Sequence, residues 1–137
     1  MKEIITKHNA DINVVVRIDN LASCDIDSYA EYADAIYFYR MIFRFNESLS
    51  KICFYQKSII SKCSSLGLPV IVAGLFLDTM RTLPNPIRAE ISDIYNTILQ
   101  GIDAILLNLE IVSGIYPFEV IETISKAYIS YQTLTFR

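Results

Sequence analysis

The sequence predicts an α/β fold built on a parallel sheet. Three observations lead there: four short β-rich runs, segments of helical period between them, and start and stop signals at the joins. Each run is nearly continuously apolar, which is the pattern of strands covered on both faces.

The runs are Val14-Val15-Val16-Arg17-Ile18, Ala35-Ile36-Tyr37-Phe38-Tyr39, Pro69-Val70-Ile71-Val72-Ala73 and Asp103-Ala104-Ile105-Leu106-Leu107. Between the first two, Asp25 to Tyr32 leaves room for a short helix only. Ser48 or Ser50 caps a second helix through Leu49, Ile52, Tyr55, Ile59, Ile60 and Cys63, which Gly67 ends. A third carries Ile91, Ile94, Tyr95 and Ile98 at spacings of three and four, with Gly101 as its stop. Pro117 opens the last helix, whose Val120, Ile121, Ile124 and Tyr128 line one face. The order is four βα units, read as a single domain over residues 1–137. No linker, low-complexity segment or charge run divides them.

Composition excludes several classes. The chain has 137 residues, 53% of them hydrophobic and 20% charged, which is enough apolar material for a core and too little charge for disorder. Twelve Lys and Arg against fifteen Asp and Glu give a formal charge of -3 without a basic face, so nucleic acid is not expected as a partner. The longest charge-free stretch, Cys63 to Leu77, is shorter than the ~20 apolar residues of a membrane span and contains Gly67 and Pro69. No membrane span and no export signal are read from the N-terminal residues, so a cytoplasmic location is expected. Cys24, Cys53 and Cys63 form no CxxC pair, and His8 is the one histidine. They read as reduced thiols in or near the core rather than zinc ligands. His8 reads as a solvent-exposed side chain.

From Arg40 onward a longer pattern runs without a gap. It comprises Gln56-Lys57, Cys63, Gly67-Leu68-Pro69-Val70-Ile71, Leu77-Asp78-Thr79-Met80, Pro84-Asn85-Pro86-Ile87-Arg88-Ala89-Glu90-Ile91-Ser92-Asp93, Gly101-Ile102-Asp103, Glu110 and Gly114-Ile115-Tyr116-Pro117. This pattern resembles the second half of the barrel of the pyruvate kinase family. Upstream, Val16-Arg17-Ile18-Asp19-Asn20 resembles that family's S-K-I-E-N strand end, and Ala33-Asp34-Ala35-Ile36 resembles its S-D-G-I segment, with one residue fewer between them. The resemblance implies that the four strands are the fifth to eighth of a (β/α)8 TIM barrel, hence half of a barrel. It also implies that the first four strands, the inserted lid domain and the C-terminal regulatory domain lie outside these 137 residues.

In such barrels the chemistry sits at the C-terminal ends of the strands. The resemblance implies a Lys facing the phosphoryl group, a Glu and an Asp holding a divalent metal, and a Thr contacting the substrate. Phosphoryl transfer needs positive charge and Mg²⁺ held by hard oxygens, which explains those residue types. Here the Lys is Arg17, a broader planar cation, and the Glu is Asp19, shorter by one methylene. The metal-binding Asp is Ile42, which has no oxygen. Met41 and Arg44 replace two glycines, Gly74 and Leu75 replace the Thr and its neighbouring Gln, and Asn108-Leu109-Glu110 stands for S-G-E. Oxygen and space are lost while bulk and apolarity are gained. Arg17 is thus the candidate catalytic residue, at the family Lys position, and Asp19 a vestigial metal ligand.

Pro84, Pro86, Arg88, Glu90, Ser92, Asp93, Gly101, Asp103, Gly114 and Pro117 read as scaffold, with Arg88 and Glu90 expected to form a structural salt bridge. The Tyr and Phe residues read as core and interface. The expected function is a degenerate, catalytically inactive pyruvate kinase-like protein, acting by association with a full-length pyruvate kinase paralogue or as a homo-oligomer. Two alternatives stand beside it: half of a split kinase transferring phosphate from phosphoenolpyruvate to ADP, and a truncated remnant without a selected role. No cofactor is expected, with Mg²⁺ and K⁺ relevant only where the family activity is retained. In a half barrel, whichever of Val14, Val16, Ile36, Phe38, Val70, Val72, Ile105 and Leu107 point inward need cover from another chain or from closure of the half barrel on itself.

Overall fold

The computed structural model describes residues 7–8, 11–19, 25–42 and 49–135. It has an α/β fold with four strands in the order β1-β2-β3-β4, the chain order. The contacts divide it into two compact units, Met1–Val72 and Ala73–Arg137.

In the first unit, β1 (Val15–Ile18) runs parallel to β2 (Ala35–Tyr39), with Val15 opposite Ala35 and Arg17 opposite Tyr37. Asp34 fixes that register. Its backbone N–H donates to the Val14 carbonyl at 2.7 Å while its Oδ2 accepts the Val14 N–H at 2.6 Å. Alternation then sends Ile18, Ile36 and Phe38 to one face, where all three are buried. Val15 and Arg17 on the other face are exposed, and Tyr37 and Tyr39 are half-buried.

Helix α1 (Ile26–Ala30) is capped by Asp25, whose Oδ1 accepts the Ser28 N–H at 3.3 Å and whose Oδ2 accepts the Ser28 hydroxyl at 2.5 Å. Helix α2 (Leu49–Ser65) buries Gln56, Ile59, Ile60 and Cys63, one stripe at helical spacing. Its end is turned by Gly67 at φ 65, where the Leu68 N–H returns to the Cys63 carbonyl at 2.9 Å. Ser48, one of the two expected caps, lies outside the described residues. Strand β3 (Val70–Ala73) follows, and the Ile36 N–H donates to the Pro69 carbonyl just before it at 2.8 Å.

The second unit contains a 3-10 turn (Asp78–Arg81), α3 (Arg88–Leu99), β4 (Ala104–Leu106), α4 (Leu109–Val112) and α5 (Pro117–Thr135). Phe76, Leu77, Met80, Ile94, Thr97 and Val120 form its closed interior. Helix α3 packs on α5, with Tyr95 edge-on to Tyr131 at 6.2 Å between ring centres. Pro117 occupies the first turn of α5, where its missing N–H costs nothing.

Two expectations are corrected by burial. Strands covered on both faces are found at β3 but not at β1 or β4, where Val15 and Leu106 are exposed. The β1–β2 pair is one-sided: Ile36 and Phe38, and likewise Val70 and Val72 of β3, are fully buried, while Val14, Val16, Ile105 and Leu107 are half-buried. Cys63 is buried as a small core residue, but Cys53 is exposed because it sits outside the apolar stripe of α2; Cys24 lies outside the described residues. His8 is exposed. No helix among the described residues is long and apolar enough to cross a membrane.

Candidate functional site

Arg17 and Asp19 are two apart along an extended segment, so their side chains share a face. They meet there. Arg17 Nη2 donates to Asp19 Oδ2 at 2.6 Å, with both side chains substantially exposed, at 51% and 41%. That hydrogen bond, reinforced by the charge of Asp19, raises the Arg17 pKa above its ordinary value. Tyr37, directly opposite Arg17 in the register, stands 6.0 Å from Tyr39 with the rings tilted by 34°. Partial burial raises the Tyr37 hydroxyl above its usual pKa, with a smaller upward push from Tyr39. The face therefore holds a self-neutralised ion pair beside two phenols. An anionic group arriving here finds a cation already occupied.

Ile42 ends the 3-10 turn Arg40–Ile42 that follows β2, half-buried and without a donor atom for a metal. Arg44 and Asn20 lie outside the described residues. The other Asp19 oxygen, Oδ1, is enclosed and accepts no hydrogen bond among the described residues. A divalent ion such as Mg²⁺ needs several hard oxygens around it, and no group of three or more His, Cys, Asp or Glu able to hold a metal occurs among the described residues. These residues do not fit the ion.

In the second unit, β3 is followed by Gly74 at φ 115 and Leu75 at φ 47. Two left-handed residues in succession bend the backbone sharply away from the strand. For a leucine this conformation costs about 1–2 kcal/mol. Nothing in the sequence marks Leu75 as the residue that adopts it, because Gly or Asn is the usual signal.

Glu90 is the organising acid of this unit. Its Oε1 accepts the Thr79 N–H at 2.8 Å, and its Oε2 accepts the Thr79 hydroxyl at 2.5 Å and the Ile87 N–H at 3.1 Å. Arg88 is not among its partners, which corrects the expected salt bridge: Glu90 faces back toward the 3-10 turn, whose donors outcompete an exposed guanidinium. Ile87, at the position before the helix, has no side-chain acceptor, so only Glu90 supplies the reciprocal bond of a capping box. Beyond β4, Glu110 is fully buried in α4, whereas Leu109, Val112, Ile115 and Phe118 are exposed, Val112 at 80% and Phe118 at 81%.

Parallel strands alternating with helices are the pattern of a fragment of an α/β barrel domain. The family description "Pyruvate kinase, barrel domain" matches residues 1–121. The pyruvate kinase of Bacillus licheniformis is 38% identical over 125 residues, covering 90% of this chain and 21% of that protein. That of Dictyostelium discoideum is 35% identical over 127 residues, covering 92% and 25%. The crystal structure of a pyruvate kinase from Cryptosporidium parvum superposes with a TM-score of 0.86 at 31% identity, covering 90% of this chain and 25% of that one. The chain belongs to the pyruvate kinase family. It spans about a quarter of the length of these relatives.

Proposed function

We propose that this chain is a pyruvate kinase-like protein without catalytic power of its own, acting in the cytoplasm by association with an active full-length pyruvate kinase or with a second copy of itself. The Arg17–Asp19 contact at 2.6 Å carries this reading. The two side chains to which the resemblance assigns the family's phosphoryl-facing Lys and metal-holding Glu positions are spent on each other. Ile42, where the resemblance implies a metal-binding Asp, removes a second oxygen, so no Mg²⁺- or K⁺-dependent step is derived for this chain. The exposed apolar side chains of Leu109, Val112, Ile115 and Phe118 support a role through contact with another surface.

A coupled lactate dehydrogenase assay with phosphoenolpyruvate, ADP, Mg²⁺ and K⁺ tests inertness, and no rate above background is expected. A metal-dependent rate that vanishes on Asp19→Ala would overturn it. Size-exclusion chromatography with light scattering tests association, and a stable micromolar monomer that also ignores active pyruvate kinase would sink that claim. The split-kinase reading draws on the quarter-length match. The same assay on this chain mixed with an N-terminal barrel half decides it.

A further inference from the structure

Glu110 is an acid that the proposed function does not use. It is fully buried, and among the described residues neither carboxylate oxygen accepts a hydrogen bond. A buried carboxylate without donors is costly to hold, so any donor within reach matters. The 3-10 turn Asp78–Arg81 packs against α4 and brings one: Arg81 Nε is likewise enclosed and has no acceptor among the described residues. The backbone clamps these segments together. Ile115 N–H donates to the Arg81 carbonyl at 3.0 Å, and a Cβ on Gly114 would lie 2.1 Å from the Glu110 carbonyl oxygen and 3.4 Å from the Arg81 Cα. The outer end of the same guanidinium reaches Asp78, Nη1 to Oδ1, at 3.4 Å, a long and exposed contact. Arg81 thus has a weak solvated partner in Asp78, while its own Nε and both oxygens of Glu110, on the helix packed against its turn, are enclosed and unpaired among the described residues.

We propose that Arg81 exchanges between Asp78 at the surface and Glu110 inside, and that the inner pairing keeps α4 docked beyond β4. The exchange needs only rotation of the long arginine side chain, because the backbone around Gly114 leaves no slack. Asp78 gives up little on losing a solvated partner, while Glu110 gains a charge-assisted hydrogen bond in an enclosed site. Helix α4 has four residues, too few to hold its own shape, so its docking depends on contacts of this kind.

Hydrogen exchange on the 137-residue chain reads the docking through the amides of Ile111, Val112 and Ser113, which donate to the Asn108 and Leu109 carbonyls. Arg81→Met is expected to speed their exchange roughly tenfold, and adding Glu110→Gln to return it to within about threefold of the parent. Asp78→Asn alone is expected to slow it, since Arg81 then has a single acid to serve. Exchange in the Arg81→Met, Glu110→Gln double variant as fast as in Arg81→Met, or no response to Asp78→Asn, would overturn the proposal. If Arg81→Met does not fold, Arg81→Lys replaces it: the shorter cation without Nε is expected to speed exchange, and an unchanged rate counts against the pairing.

Discussion

Glu90 grips Thr79 twice, through the backbone N–H at 2.8 Å and the hydroxyl at 2.5 Å, eleven residues apart in sequence. This double bond joins the 3-10 turn after β3 to the first turn of α3, and the third bond, from the Ile87 N–H, caps that helix. Replacing the acid strands two donors at a partly buried junction and an exposed third. Glu90→Ala is expected to lower folding stability by about 2–3 kcal/mol, and Glu90→Gln by roughly half as much, read from urea midpoints. Equal stability of both variants and the parent would show that water satisfies these donors as well.

Phe38 is the largest fully buried side chain among the described residues of the first unit, placed by the β2 register on the covered face. Truncation there removes a whole ring from a close-packed interior. Phe38→Ala is expected to cost about 3–5 kcal/mol, against under about 1 kcal/mol for Leu106→Ala on the exposed side of β4. Thermal unfolding of the two variants side by side checks the contrast.

The strands were legible because their apolar runs are short and bounded: β2 occupies Ala35–Tyr39 as expected, β1 and β3 each start one residue later than their runs, and β4 is one residue shorter at both ends. Gly67 and Gly101 were legible as helix stops because each takes the positive φ that glycine favours, 65 and 85 degrees. Burial was not legible. An unbroken run such as Val14-Val15-Val16 does not say which face is covered, and the register set by Asp34 decides it. Arg17 and Asp19 could be placed on one face from their spacing. That they bind each other, and that Glu90 prefers Thr79 to Arg88, depends on distances between side chains which spacing does not supply. The left-handed Leu75 and the 3-10 turn after it carry no local signal, since tertiary packing of Phe76, Leu77 and Met80 imposes them.

Asp25 makes stability depend on acid. The Ser28 hydroxyl and then the Ser28 N–H stabilise its charged form, holding its pKa below the usual carboxylate range. With a lowered folded pKa, the contribution to stability is complete above the unfolded value and fades as pH falls through the folded one. The stability gap between the parent and Asp25→Ala is therefore expected to be constant from pH 7 to about 5 and to shrink below about 4. Urea titrations at stepped pH check this, and a gap that widens toward pH 3 would contradict the capping role.

Gly114 is held to glycine by proximity rather than by backbone angle. A Cβ there would come 2.1 Å from the Glu110 carbonyl oxygen and 3.0 Å from its carbon, both backbone atoms that cannot rotate aside. Relief would require α4 to move off the 3-10 turn, which also breaks the Ile115 to Arg81 backbone bond. Gly114→Ala is expected to lower stability by about 2–3 kcal/mol, more than the fraction of a kcal/mol usual for a surface change. The open positions Gly67 and Gly101 offer the comparison. A Cβ meets nothing within 4 Å at either, so Ala there is expected to cost only the backbone strain of a positive φ, about 1 kcal/mol. Differential scanning calorimetry of the three alanine variants separates the two causes, and Gly114→Ala unfolding at the same temperature as the other two would show that α4 yields without resistance.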